Sequence, residues 1–119
     1  MKKKILVIDD DRINAKIVKL NLSKEGYHVE VAFDGDEGLA LVPMINPDLI
    51  ILDVNMPKMN GYTFMLELQN LAAHKDTPVL ILTAHADVKP IFKFNGVKDY
   101  QVKPINGQDL VVKVNKYVR

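Results

Sequence analysis

Leu49-Ile50-Ile51-Leu52-Asp53-Val54-Asn55-Met56-Pro57 is the stretch on which the reading of this chain turns. Four consecutive branched aliphatic residues suit a strand covered on both faces, as in a parallel sheet. An acid ends the run, and a Met-Pro turn follows. Two other runs share this form. Ile5-Leu6-Val7-Ile8 meets Asp9-Asp10-Asp11, and Val79-Leu80-Ile81-Leu82 meets Thr83-Ala84. Val29-Glu30-Val31-Ala32 and Tyr100-Gln101-Val102 alternate instead, as strands with one partly exposed face do, so they belong nearer the sheet edges. Lys103-Pro104 follows the last of them.

Helical patterns separate the runs. Ile13, Ile17 and Leu20, with Val18 and Leu22 beside them, recur at helical spacing and stop near Gly26, a residue suited to ending a helix. Leu39 and Val42 mark a short second helix, cut off by Pro43 and finished before Pro47. Phe64, Met65, Leu68 and Leu71 define a third. Leu110, Val111, Val114 and Val118 define a fifth, after Asn106-Gly107. The fourth belongs in 87–95, where Pro90 makes it short or irregular. Strand and helix in alternation imply a doubly wound α/β sheet. No repeat or linker divides residues 1–119, which form one domain.

Composition narrows the function. The chain has 119 residues, 48% of them hydrophobic and 26% charged, as in ordinary globular domains. Sixteen basic against fifteen acidic residues leave a net charge of +1, so no global field favours nucleic acid or anionic lipid. The absence of Cys excludes disulfides, a thiol nucleophile and Cys-based metal sites. Lys2-Lys3-Lys4 before an apolar run resembles a secretory leader, but the run meets three acids too soon. No segment approaches the roughly 18 apolar residues of a membrane span. A cytoplasmic domain without membrane insertion is expected.

Ligands of open α/β sheets bind at the carboxyl ends of the strands. There this sequence sets Asp9, Asp10 and Asp53, a hydroxyl at Thr83 and an ammonium at Lys103. Clustered carboxylates raise one another's pKa. A divalent cation relieves that repulsion, and oxygen ligands shared with phosphate suit Mg²⁺. Asp11, directly before the first helix, reads as its N-cap. Taken singly, Asp53 could serve a turn, Thr83 a cap, Tyr100 edge-strand packing and Lys103 the solvated surface. Phosphoryl transfer to a carboxylate needs a metal, a cation on the equatorial oxygens and a hydroxyl or amide donor, and together these residues supply that set.

In these motifs, in order along essentially the whole chain, the sequence resembles the receiver domains of two-component response regulators, of which the stand-alone chemotaxis regulator is the simplest form. The resemblance implies a flavodoxin-like five-stranded parallel sheet of order 2-1-3-4-5 with five helices. It implies that Asp53 is the phosphoacceptor, and that Mg²⁺ is held by Asp10, by Asp9 through water, by Asp53 and by the backbone carbonyl of Asn55. Lys103 would pair with Asp53 at rest and with the phosphoryl group afterwards, across a Lys103-Pro104 bond that is often cis in the family. Thr83 would move to the phosphoryl oxygen, and Tyr100 would swing inward behind it. The implied partners are a histidine kinase or phosphotransfer protein upstream and, for a receiver that stands alone rather than as part of a larger regulator, a protein downstream. Direct nucleic-acid contact is not expected. The domain would be a monomer or a weak phosphorylation-dependent dimer, and a signalling switch rather than an enzyme acting on other substrates.

The sequence also departs from the family. Thr83 and Lys103 are 20 positions apart, a couple fewer than usual. With Pro90 between them, Ile91, Phe92 and Phe94 either repack inward or offer a partner site. His85 and Asn55 flank the phosphoryl site and are positioned to tune water access. Gly38 replaces the usual Ala and would loosen the second helix. Three other functions compete with a switch. A phosphorylation-independent binding module on the same fold is the main alternative. A haloacid-dehalogenase-type phosphohydrolase would need an acid where Asn55 stands. A flavin site would meet repulsion from Asp9-Asp10-Asp11.

Overall fold

The computed structural model describes residues 2–56, 58–84 and 89–118. Five strands run in chain order: β1 (Lys4–Ile8), β2 (His28–Ala32), β3 (Leu49–Asp53), β4 (Val79–Thr83) and β5 (Val97–Val102). They form one parallel sheet of order β2-β1-β3-β4-β5, with the two alternating segments at its edges as expected. The helices are α1 (Arg12–Lys24), α2 (Gly35–Ile45), α3 (Gly61–Gln69) and α4 (Gly107–Val118). Among the described residues none is long and apolar enough to cross a membrane.

Period-two alternation sends the strand side chains into two cores. Leu6, Ile8, Ile50, Leu52 and Ile81 pack under Val42 of α2 and Phe64, Met65 and Leu68 of α3. Ile5, Val7, Leu49, Ile51, Leu80 and Leu82 pack under Val18 and Leu22 of α1 and Leu110 and Val114 of α4. Both faces of the central strands are therefore dry, which is why their sequences are unbroken apolar runs.

The face of α1 differs from the expected stripe. Ala15, Val18 and Leu22 are buried, whereas Ile13 is 72% and Leu20 53% exposed, and Ile17 is also exposed. Ala15 carries little hydrophobic weight in a sequence, so the larger residues on the opposite side mark the wrong face. The ends of the helix are as expected. Asp11 caps the N–H groups of Ile13 at 2.9 Å and Asn14 at 3.2 Å. At the other end the Gly26 N–H donates to Ser23 and the Tyr27 N–H to Leu22, a Schellman closure with Gly26 at φ 92°.

Pro43 does not cut α2 short; the helix continues to Ile45 and closes on Asn46 in the left-handed region. Pro43 lies in the last turn, where its missing N–H costs one bond and its ring faces solvent. Gly38 lets this helix approach the sheet. A β-carbon there would fall 2.5 Å from Ile8 Cδ1.

The expected fourth helix is only the 3₁₀ turn Lys89–Lys93, with Pro90 at its second position; residues 85–88 lie outside the described residues. Ile91 and Phe94 turn inward to the core, while Phe92 stays partly exposed. In β5 the alternation runs against residue polarity: Gln101 is buried and Val102 is exposed. That strand starts at Val97, three residues before the alternating segment read from the sequence.

Candidate functional site

The sheet delivers five groups from four strand ends to its carboxyl edge, two of them, Asp9 and Asp10, after β1. Parallel register aligns Ile8 with Leu52 and Thr83 with Val102, so the residues that end or follow these strands meet above the same edge. Asp9, Asp53 and Thr83 are buried and Asp10 is exposed. Carboxylate oxygens of Asp9, Asp10 and Asp53 lie within 4.8 Å of one another. Lys103 crosses from the end of β5 and places Nζ 3.3 Å from Oδ2 of Asp9 and 3.3 Å from Oδ2 of Asp53. The Lys103-Pro104 bond is cis.

Main-chain donors hold the acids. The Asp11 N–H donates to Asp9 Oδ1 at 2.9 Å, and the Asn55 N–H donates to Asp53 Oδ1 at 3.0 Å. Asn55 also receives the Ala84 N–H on its side-chain Oδ1 at 3.4 Å, tying the loop after β3 to the loop after β4. The Lys103 N–H donates to the Thr83 carbonyl at 2.8 Å, coupling the ammonium-bearing turn to the hydroxyl-bearing strand. These two cross-loop bonds were not legible in the sequence, because they join residues far apart in the chain.

Burial raises the Asp9 carboxyl to about 6, and Asp53 adds to the rise against the opposing Asp11 N–H and Lys103. Asp10, although its side chain reaches solvent, is raised too, first by the partial desolvation of its carboxyl and then by Asp53. Burial alone would lower the Lys103 ammonium, but Asp53 and Asp9 outweigh it and hold its pKa above the usual value. Asp9 Oδ2 is buried without a hydrogen bond among the described residues, and Lys103 is its ionic neighbour. An all-oxygen set with excess negative charge and a buried oxygen lacking a donor fits a hard divalent cation.

Tyr100 sits on the same face as Thr83, since it pairs with Ile81 two residues earlier on β4. Its ring meets Phe92 edge-on at 6.2 Å, and Lys113 lies 5.5 Å from the ring centre. Lys113 also donates to the Tyr100 carbonyl and lies 3.9 Å from Asp99. His85 and Pro57 lie outside the described residues.

The chain belongs to the response regulator receiver domain family, whose model matches residues 5–115. It is 36% identical over 118 residues to the DNA-binding dual master transcriptional regulator RpaA of Synechocystis, covering 98% of this chain and 49% of that protein. It is 40% identical over 118 residues to the transcriptional regulatory protein CpxR of Klebsiella pneumoniae, again 98% of this chain and 49% of the relative. The chain thus spans about half the length of these curated relatives. Among solved structures, the chemotaxis protein CheY4 of Vibrio cholerae superposes with a TM-score of 0.92 at 34% identity, over 98% of this chain and 99% of that one. A CheY-like receiver domain from Methanospirillum hungatei gives 0.88 at 28% identity, over 99% and 94%.

Proposed function

We propose that this domain is a phosphorylation-activated switch in which Asp53 accepts a phosphoryl group from a histidine kinase or phosphotransfer protein. The observation that carries the reading is the buried Asp53, 3.3 Å from Lys103 and clustered with Asp9 and Asp10. An Asp53 oxygen attacks the donor phosphorus, the bond from phosphorus to the donor nitrogen or oxygen breaks, and its electron pair leaves with that atom. Lys103 then follows the negative charge from the carboxylate to the phosphoryl oxygens. Asp9, Asp10, Asp53 and the Asn55 backbone carbonyl would hold Mg²⁺, which when bound offsets the charge of the acids and of the transferred group. The domain's only chemistry is the gain and loss of its own phosphoryl group, so it acts as a signalling element rather than an enzyme on other substrates.

The output follows from charge. Three new acceptor oxygens favour any arrangement that brings the Thr83 hydroxyl and the Tyr100 ring toward the site. Tyr100 shares its strand face with Thr83 and packs on Phe92 and Lys113, so its movement alters the surface formed by the 3₁₀ turn, β5 and α4. A downstream protein or a second copy reads that surface, without direct contact to nucleic acid by this domain. The exposed apolar row of Ile13, Ile17 and Leu20 starts three residues after Asp10 and gives a phosphodonor protein a place to dock.

Intact mass after incubation with acetyl phosphate, with and without Mg²⁺, tests the reading. One Mg²⁺-dependent adduct, absent in Asp53→Asn, is expected. No adduct, together with no beryllofluoride complex, would overturn it in favour of a phosphorylation-independent binding module.

A further inference from the structure

Beside the acids lies a second feature. A cleft of about 280 Å³ opens next to Asp10 and is lined by Arg12, Phe33, Met56, Lys58 and neighbouring residues. Phe33 follows β2, whose last residue, Ala32, accepts the Asp9 N–H at 3.1 Å, so its ring sits at the rim of the acidic site. The Arg12 guanidinium lies over that ring, 4.1 Å from Cζ to the centroid. A cation–π contact of this kind holds an otherwise mobile charge in one place. Lys58 brings a second positive charge to the same cleft from the loop after β3.

We infer that Arg12, seated on Phe33 and seconded by Lys58, selects phosphodonors by charge, favouring doubly anionic acyl phosphates. The inference rests on the proposed phosphoryl transfer to Asp53. Asp9, Asp10 and Asp53 repel an approaching dianion, Asp34 adds a second acid beside Asp10 in the lining of the cleft itself, and Lys103 is engaged with two of the carboxylates. A fixed positive charge on the rim offsets the repulsion from Asp10 and Asp34 where the donor arrives and raises its encounter rate. Arg12 does not touch the reacting atoms in this scheme and is a specificity residue. In the reaction it assists, Asp53 forms an O–P bond, the P–O bond of acetyl phosphate breaks, and acetate leaves with the electron pair. Charge is conserved at three negatives on each side.

The test compares two donors at saturating Mg²⁺: acetyl phosphate, a dianion, and phosphoramidate, which carries a single net negative charge near neutral pH. Arg12→Gln is expected to lower the second-order rate constant for acetyl phosphate by roughly three- to tenfold, with a clearly smaller loss for phosphoramidate. It should also flatten the decline of the acetyl phosphate rate with added salt. Arg12→Lys should recover most of the rate, and Lys58→Gln should shift it in the same direction as Arg12→Gln by less. Equal losses for both donors, or an unchanged salt dependence, would overturn the inference, because a merely structural role would not distinguish donor charge. Wild-type protein that reacts normally while Arg12→Gln matches it would overturn this inference alone. Wild-type protein that takes no phosphoryl group from either donor would overturn the parent reading and this one with it.

Discussion

Lys103 places its ammonium 3.3 Å from Oδ2 of Asp9, a carboxylate with no surface open to solvent, and the same distance from Oδ2 of Asp53. One cation therefore faces two buried acids. Removing it leaves them unpaired, which is costlier than losing an exposed ion pair. Lys103→Met should destabilise the domain by roughly 2–3 kcal/mol in EDTA, below the usual cost for a fully buried pair because Lys103 keeps some solvent contact. Urea unfolding would measure it, and millimolar Mg²⁺ should recover part of the loss.

The same acids give the fold an unusual pH dependence. Asp9 is raised from 3.8 to about 6 in the folded state, so between those values the folded protein binds more protons than the unfolded chain. Stability without metal should therefore fall as pH rises from about 4 to 6, by up to about 3 kcal/mol. Asp10 shifts in the same direction. Lys103 works at the other end: its raised pKa adds stability at neutral pH that is lost as pH climbs beyond its folded value. Denaturation midpoints in EDTA from pH 4.5 to 7.5 should show the decline, and Asp9→Asn should flatten it.

Gly38 allows α2 to lie against Ile8. Gly38→Ala improves helix propensity by about 1 kcal/mol but sets a methyl 2.5 Å from Ile8 Cδ1. Overpacking of this kind costs roughly 1–3 kcal/mol, so the net effect should be destabilising. Ile8→Val removes the nearer of the two clashing carbons, leaving Cγ1 at 2.9 Å to be relieved by a small shift. The double variant should be more stable than the two single losses predict, and thermal unfolding of the four proteins would read that coupling.

The corrected face of α1 has a direct consequence. Ile13→Lys and Ile17→Lys alter exposed positions and should change stability by no more than about 0.5 kcal/mol. Leu22→Ala, in the core, should cost roughly 2–5 kcal/mol. If the apolar row receives the phosphodonor protein, the two Lys variants should lose phosphotransfer from a kinase while keeping phosphorylation by acetyl phosphate.

Phe92 meets Tyr100 edge-on, a contact worth roughly 0.5–1.5 kcal/mol. Phe92→Leu removes it from the arrangement seen here. If the inward position of Tyr100 is the activated one, beryllofluoride should bind this variant roughly two- to tenfold more tightly. A titration followed by tyrosine fluorescence would measure the change, and weaker binding would argue that Phe92 supports the activated state instead.

Much of the architecture was legible because burial on both faces writes itself into β1, β3 and β4 as unbroken apolar runs, and each run ends where chemistry is needed. Asp9, Asp10, Asp53, Thr83 and Lys103 were recognisable as a set for the same reason: a parallel sheet brings its strand ends to one edge. Boundaries set by local chemistry were readable too, such as the Asp11 cap and the turn at Gly26. The misread elements are those where competing apolar stripes or a single Pro had to be weighed without neighbours. Ile13 and Leu20 outweigh Ala15 on any hydrophobicity count, yet Ala15 is the one that is buried.

By itself, then, the sequence determined the order of elements, the sheet and the identity of the clustered groups, because these depend on periodicity and on what each strand delivers to its end. Tertiary structure alone decided which face of α1 is dry, how closely Gly38 meets Ile8, that Pro43 is accommodated inside α2, and that Arg12 rests on Phe33 at the rim of the site. Those outcomes depend on distances between segments remote in the chain, and packing, not local propensity, sets such distances.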